Sequence, residues 1–226
     1  MVKHSKITKV FQLSLVIIFI LVLLGLFVPQ QFQNISFYLK NLLTTSVGWF
    51  YLLLVTGILI FCVFLIVSPI GQIRLGNPTS RPEHSTTSWI AMMFSAGMGI
   101  GLVFYGAAEP LSHFAISTPN AEIGSADALA DAFRFTFFHW GFHAWAVYAL
   151  VGLSLAYFGF RKREKYQLSV VFKPLFGKYA DGPIATIIDT ITIIATVIGV
   201  ATTLGFGASQ INGGLSYVFG IPNNSL

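Results

Sequence analysis

The sequence predicts an all-α integral membrane protein, on two observations. Of its 226 residues 55% are hydrophobic and 9% charged, against roughly 25% charged in soluble domains, and the apolar residues collect in runs long enough to cross a bilayer. The mean hydropathy of +0.76 agrees. A formal net charge of +5 does not describe a nucleic-acid surface, because 22 Phe outnumber the 13 Lys and Arg and the basic residues lie between the apolar runs. The single Cys62, inside one such run, rules out an intrachain disulfide and reads as a small buried side chain.

A hydrocarbon core of about 30 Å needs roughly 20 apolar residues, and five runs qualify: 10–28, 49–67, 89–108, 133–160 and 184–208. Lys3, Lys6 and Lys9 precede the first, as in a signal peptide. That run exceeds a usual signal core, however, and Phe27-Val28-Pro29-Gln30 offers no small-residue cleavage site, so a retained helix is expected. With the N-terminus cytoplasmic, every Lys and Arg except Lys40 and Arg134 falls on the cytoplasmic side. The segment 115–132 carries Glu122, Asp127 and Asp131 and no basic residue, which either collects cations or keeps an outer loop soluble. Pro78 and Pro82, followed by candidate caps at Ser85, Thr86, Thr87 and Ser88, divide the chain into two peripheral helices in 1–80 and a functional bundle in 81–226.

The third run contains "AGMGIGLVFYGAAEP". Gly97, Gly99 and Gly101 recur at every second position and cannot share one helical face. Gly97 and Gly101 alone fit a close-packing pair. The other reading is a helix that unwinds in the membrane, where freed carbonyls must line a cavity or hold a ligand. Met98 either lines that site or packs. Pro110 disfavours helix at Glu109, which places this acid near the outer end of the span.

The fourth run, "FRFTFFHWGFHAWAVYALVGL", places Trp140, Trp145 and Tyr148 in one span. Aromatic faces attract a quaternary ammonium group, which has no hydrogen bond to donate; an interfacial aromatic belt is the alternative. His139 and His143, four apart, match a metal-ligand pair on one helix, with Glu109 the nearest acidic third ligand; structural histidines bonding neighbouring helices are the competing reading. The fifth run offers Thr192, Thr196 and Thr203, whose hydroxyls serve an ion or bond back to their own helix. Asp189 within it needs a partner or water. The basic stretch "RKREKYQ" anchors the inner face.

"GMGIGLVFYGAAEPL", "FHWGFHAWAVYALVGLSLAY" and "IIATVIGVATTLGFGASQI" resemble successive segments of the betaine/choline/carnitine transporter family, a likeness that covers the chain from Trp89 onward. The resemblance implies about twelve helices when complete, the first two peripheral and the next ten forming two inverted five-helix repeats of the leucine-transporter type. Residues 81–226 would then be an incomplete first repeat. In sodium-coupled members the unwound element supplies sodium ligands, at positions matching Ser95 and Met98, with Gly97, Gly99 and Gly101 as the glycines that permit it. Glycine at 101, where choline carriers can hold an acid, leans toward betaine. Trp140 and Tyr148 match the family's substrate aromatics, Trp145 lies beside them, and Met98, Gly99 and Gly101 border the same site. Of two threonines four apart proposed to hold a second sodium, Thr196 matches the first, but Val200 stands at the second, which leaves that site short of a hydroxyl.

The expected function is therefore not enzymatic: secondary active import of glycine betaine or a related trimethylammonium solute across the cell membrane, with sodium as coupling ion and no other cofactor, by alternating access. Choline or carnitine transport is the alternative within the family. A membrane-embedded metalloenzyme using His139 and His143, or a non-transporting assembly module, is the alternative outside it. Expected partners are the solute, sodium and membrane lipids, with homo-oligomerisation left open and nucleic acid excluded.

Overall fold

The computed structural model describes residues 7–97, 99–116, 118 and 121–222. All regular structure among them is helical. Four stretches among the described residues are long and apolar enough to cross a membrane: Lys9–Phe27, Pro29–Val67, Ala126–Arg161 and Pro183–Phe219. The third apolar run instead forms two shorter helices, one ending at Gly97 and the next starting at Ile100.

Helix α1 (Lys9–Phe27) begins where Thr8 accepts a hydrogen bond from the Phe11 amide at 3.2 Å. Pro29 occupies the first turn of α2 (Pro29–Val67), where its missing amide hydrogen is harmless. α2 has 39 residues, about 58 Å at 1.5 Å per residue, so it extends well beyond a hydrocarbon core. Residues 29–48, expected as a loop between spans, continue this helix. Neither Pro nor Gly interrupts the chain from Gln30 to Val47. Its hydroxyls also bond back to their own helix, as Ser36 Oγ does to the Phe32 carbonyl at 2.7 Å and Thr44 Oγ1 to that of Lys40 at 2.9 Å.

α3 (Thr86–Gly97) and α4 (Ile100–Ala115) divide the third run. Pro110 lies inside α4, and the helix runs through Glu109 to Ala115 rather than ending at the proline. α5 (Ala126–Trp140) starts earlier than the apolar run suggests, because Ser125 Oγ accepts from the Ala128 amide at 3.1 Å and Asp127 sits in the first turn, favourable to the helix dipole. Asp131 is thereby helical and buried, paired with Arg134 at 2.9 Å. α6 (Phe142–Ala156) follows after a bend at Gly141 and ends in a π-helical turn, Tyr157–Arg161. Two four-residue helices, α7 (Leu168–Val171) and α8 (Lys173–Phe176), lead to α9 (Pro183–Phe219).

Packing divides the chain into two compact units, Met1–Pro78 with Ala146–Val197, and Thr79–Trp145 with Ile198–Leu226. In the first, the Cys62 thiol donates to the Ala146 carbonyl at 3.6 Å. Asp189 is buried but satisfied: its carboxylate accepts the Ser169 amide at 3.0 Å and the Ser169 hydroxyl at 2.9 Å, which ties the start of α7 to α9. Arg161 donates to the carbonyls of Arg74 at 3.3 Å and Gly76 at 3.2 Å, and so holds the segment after α2. Lys173 bridges Glu164 at 3.1 Å and Asp181 at 3.4 Å. The Glu164 hydrogen bond raises the Lys173 ammonium above the usual lysine range, so this contribution is present at neutral pH and is lost only as pH climbs through the raised value.

Two stability predictions follow from these contacts. Asp189→Ala strips both Ser169 donors of their acceptor and is expected to cost roughly 2–3 kcal/mol, with Asp189→Asn intermediate, read as midpoint shifts in thermal unfolding of the detergent-solubilised protein. At Gly141 a Cβ would overlap the Phe137 carbonyl oxygen, so Gly141→Ala must shift the backbone of the bend. An expected cost of about 1–3 kcal/mol appears in the same assay, and an unchanged midpoint would mean that the bend does not need glycine.

Candidate functional site

The second unit is organised by α4 lying antiparallel to α5. Tyr105 meets Trp140, Glu109 meets His139, and His113 meets Phe135. On α4 these residues fall at i, i+4 and i+8, one stripe of a helix. Glu109 is the centre of the stripe, its side chain 14% exposed. One carboxylate oxygen accepts the Trp140 indole N–H; the other is bonded to His139 Nδ1 and lies 3.5 Å from His113 Nε2.

The aromatic residues build outward from the same rung. Tyr105 stacks on Trp140 with centroids 5.4 Å apart, and Phe206 of α9 stands edge-on to Tyr105 at 5.4 Å. Phe206 also stacks on Phe104 at 5.0 Å with planes 9° apart. Trp140 is thus held at its N–H by Glu109 and on a ring face by Tyr105. Such rings present negative π faces, suited to a cation that cannot donate a hydrogen bond.

The interruption between α3 and α4 lies in this unit too. Gly99 precedes α4 in extended conformation, φ −71° and ψ 166°, with no side chain capping the helix. Among the described residues no side chain caps the first amides of α4, which carry the positive end of the helix dipole, an arrangement favourable to a negative group. A Cβ on Gly97 would come within 3.1 Å of Trp145 Cη2, so glycine permits the indole to close on the end of α3. At Gly99 and Gly101 a Cβ would meet nothing within 4 Å. Glycine at those two positions leaves the backbone open rather than relieving a contact with described residues.

Of the residues singled out from the sequence, Gly97, Gly99, Gly101, Trp140 and Trp145 fall in this unit, with Ser95 exposed on α3; Met98 lies outside the described residues. Tyr148 and Thr196 belong to the first unit. Tyr148 is 57% exposed on α6, and the Thr196 hydroxyl donates to the Thr192 carbonyl at 2.8 Å, leaving its oxygen lone pairs as acceptors. The expected His139 and His143 pair is not on one helix, because α5 ends at Trp140 and α6 starts at Phe142. His143 packs against Phe138 at 4.6 Å instead, and His113 joins His139 on Glu109. Tyr105, His113 and Phe206 were not anticipated. The spacing of Tyr105, Glu109 and His113 carried a readable signal for the first two, whereas Phe206 had none.

The sequence pattern of the BCCT, betaine/carnitine/choline family transporters, matches residues 9–226. The glycine betaine transporter OpuD of Bacillus subtilis is 54% identical over 99% of this chain and 43% of its own length. A probable glycine betaine transporter of Desulfitobacterium hafniense is 44% identical over 98% of this chain and 45% of its own. An ectoine/hydroxyectoine transporter of Virgibacillus pantothenticus is also 44% identical, over 95% of this chain and 43% of its own. The chain thus spans less than half the length of these relatives. All are named as transporters, which sets aside the metalloenzyme expectation. With a family match over nearly the whole chain and four helices among the described residues long and apolar enough to cross a membrane, this chain belongs to the betaine/carnitine/choline transporter family.

Proposed function

We propose that the complete protein imports glycine betaine or a closely related trimethylammonium solute across the cell membrane, coupled to sodium, by alternating access. The observation that carries this reading is the juxtaposition in one unit of the uncapped start of α4 with the Tyr105 and Trp140 rings. Glycine betaine is a zwitterion. Its carboxylate suits the free amides and dipole of α4, and its trimethylammonium group suits the ring faces five residues further along, about 7.5 Å of helical rise. The names of the relatives support the same solute class.

In this reading residues 81–226 are part of a first inverted repeat of a leucine-transporter-type fold, about twelve helices when complete, with the two helices of 1–80 peripheral and the N-terminus cytoplasmic. By the family resemblance, the residues proposed for sodium are Ser95, Met98 and Thr196, and those proposed for the substrate are Trp140, Trp145, Tyr148, Met98, Gly99 and Gly101. Sodium binding favours the outward-facing, substrate-competent state, and downhill sodium entry drives accumulation. Helices in the part of the longer relatives that this chain does not span would complete the cavity.

The test is uptake of labelled glycine betaine by carrier-deficient cells expressing the full reading frame, in sodium or in potassium. Sodium-dependent uptake is expected; equal uptake in both ions overturns the coupling, and no betaine uptake with correct insertion turns the assignment to choline or carnitine. Trp140→Leu removes one cation–π face of roughly 0.5–2 kcal/mol, and is expected to raise KM about 2- to 30-fold. Gly99→Asp places a capping carboxylate on the amides that the solute would use. Uptake is expected to vanish while thermal stability holds or rises, a combination that simple misfolding would not produce.

A further inference from the structure

We propose that Glu109, His113 and His139 form a binding site for a divalent transition-metal ion, with Zn2+ the best match. Glu109 and His113 stand four residues apart on α4, where helical geometry points both to one side, and His139 projects from the facing helix α5. A carboxylate oxygen and one ring nitrogen from each histidine lie within 4.8 Å of one another. Ligands around a tetrahedral zinc are separated by roughly 3.4 Å for bonds of about 2.1 Å, so His113 Nε2 at 3.5 Å from Glu109 Oε1 already has the required spacing, whereas His139 Nδ1 is hydrogen-bonded to the same Oε1 and must draw back as the ion takes the place of the shared proton.

The donor set is itself characteristic. Two imidazoles and one carboxylate with a fourth position open to water is a familiar zinc set, borderline in softness and poorly suited to calcium or magnesium. The second carboxylate oxygen of Glu109 is held by the Trp140 indole N–H, the outer-shell bond that orients a ligating carboxylate. The His139 side chain is 47% exposed, which leaves a route for the ion, whereas Glu109 and His113, at 14% and 19%, shield it from behind. Bound there, zinc cross-links α4 to α5 and steadies Trp140 through the shared carboxylate. The site needs no assumption about the transported solute.

The experiment is Zn2+ titration of the purified full-length protein, without a histidine tag, in competition with a chromogenic chelator. One zinc per chain is expected, weakened at least about tenfold by His113→Ala, by His139→Ala and by Glu109→Gln, which keeps an acceptor for Trp140. His143→Ala serves as the control and is expected to bind within about twofold of wild type. Binding indifferent to His113→Ala and His139→Ala, or lost equally in His143→Ala, overturns the site. Because a variant can fail to fold, Co2+ is added to the unaltered protein as well: visible absorption bands of a four-coordinate Co2+ site, displaced by one equivalent of Zn2+, support the proposal, and their absence refutes it.

Discussion

In a bilayer core no water is at hand for an unpaired backbone group, so every interruption of a helix must be covered by protein or must face a cavity or ligand. α1, α2 and α9 obey this by continuing: neither Gly25 nor Gly57 interrupts its helix, and Thr192, Thr196 and Thr203 of α9 turn their hydroxyls back onto carbonyls one turn earlier in the same helix. Among the described residues, the breaks between α3 and α4 and at Gly141 occur in the same unit, and each has a tryptophan beside it. Trp145 covers the end of α3, and Trp140 closes α5 immediately before the bend. Helix breaks and large aromatic rings are therefore neighbours in the same unit.

Glu109 holds that arrangement in register. A carboxylate with little exposure is costly unless hydrogen bonds offset its lost hydration. Here the indole of Trp140 and the imidazoles of His139 and His113 surround it. The same bonds fix the indole plane, which in turn receives Tyr105 as a stacking partner. Removing the carboxylate would release Trp140 as well as two histidines. The polar centre of α4 thus sets the geometry of its aromatic neighbours, a role distinct from the interfacial acid that Pro110 suggested.

The apolar runs were legible because their length answers to bilayer thickness, and the composition of "AGMGIG" marked the place where a helix could not be ordinary. Helix ends were less legible. Pro110 reads locally as a stop, yet neighbouring turns carry α4 through it. Residues 30–47 look polar enough for a loop but contain no breaker, and back-bonded hydroxyls keep them helical. His139 and His143 look like neighbours only if α5 is continued past Gly141, whose bend assigns them to separate helices. Phe206 reaches Tyr105 from 101 positions away along the chain, a tertiary contact that no local pattern encodes. His113, by contrast, stood four residues from Glu109 and was readable as part of one stripe.

The central claim is that the uncapped start of α4 receives the negative end of the solute. Amide hydrogen exchange of the full-length protein in lipid nanodiscs, resolved at residues 100–102, addresses it directly, since these first-turn amides have no intrahelical acceptor and exchange freely unless something binds them, whereas the Val103 amide already bonds to the Gly99 carbonyl at 3.3 Å. The account predicts that glycine betaine with sodium slows exchange at those amides, and that neither does so alone to the same extent. Exchange there unchanged by saturating betaine and sodium, with protection appearing elsewhere in the protein, would contradict it.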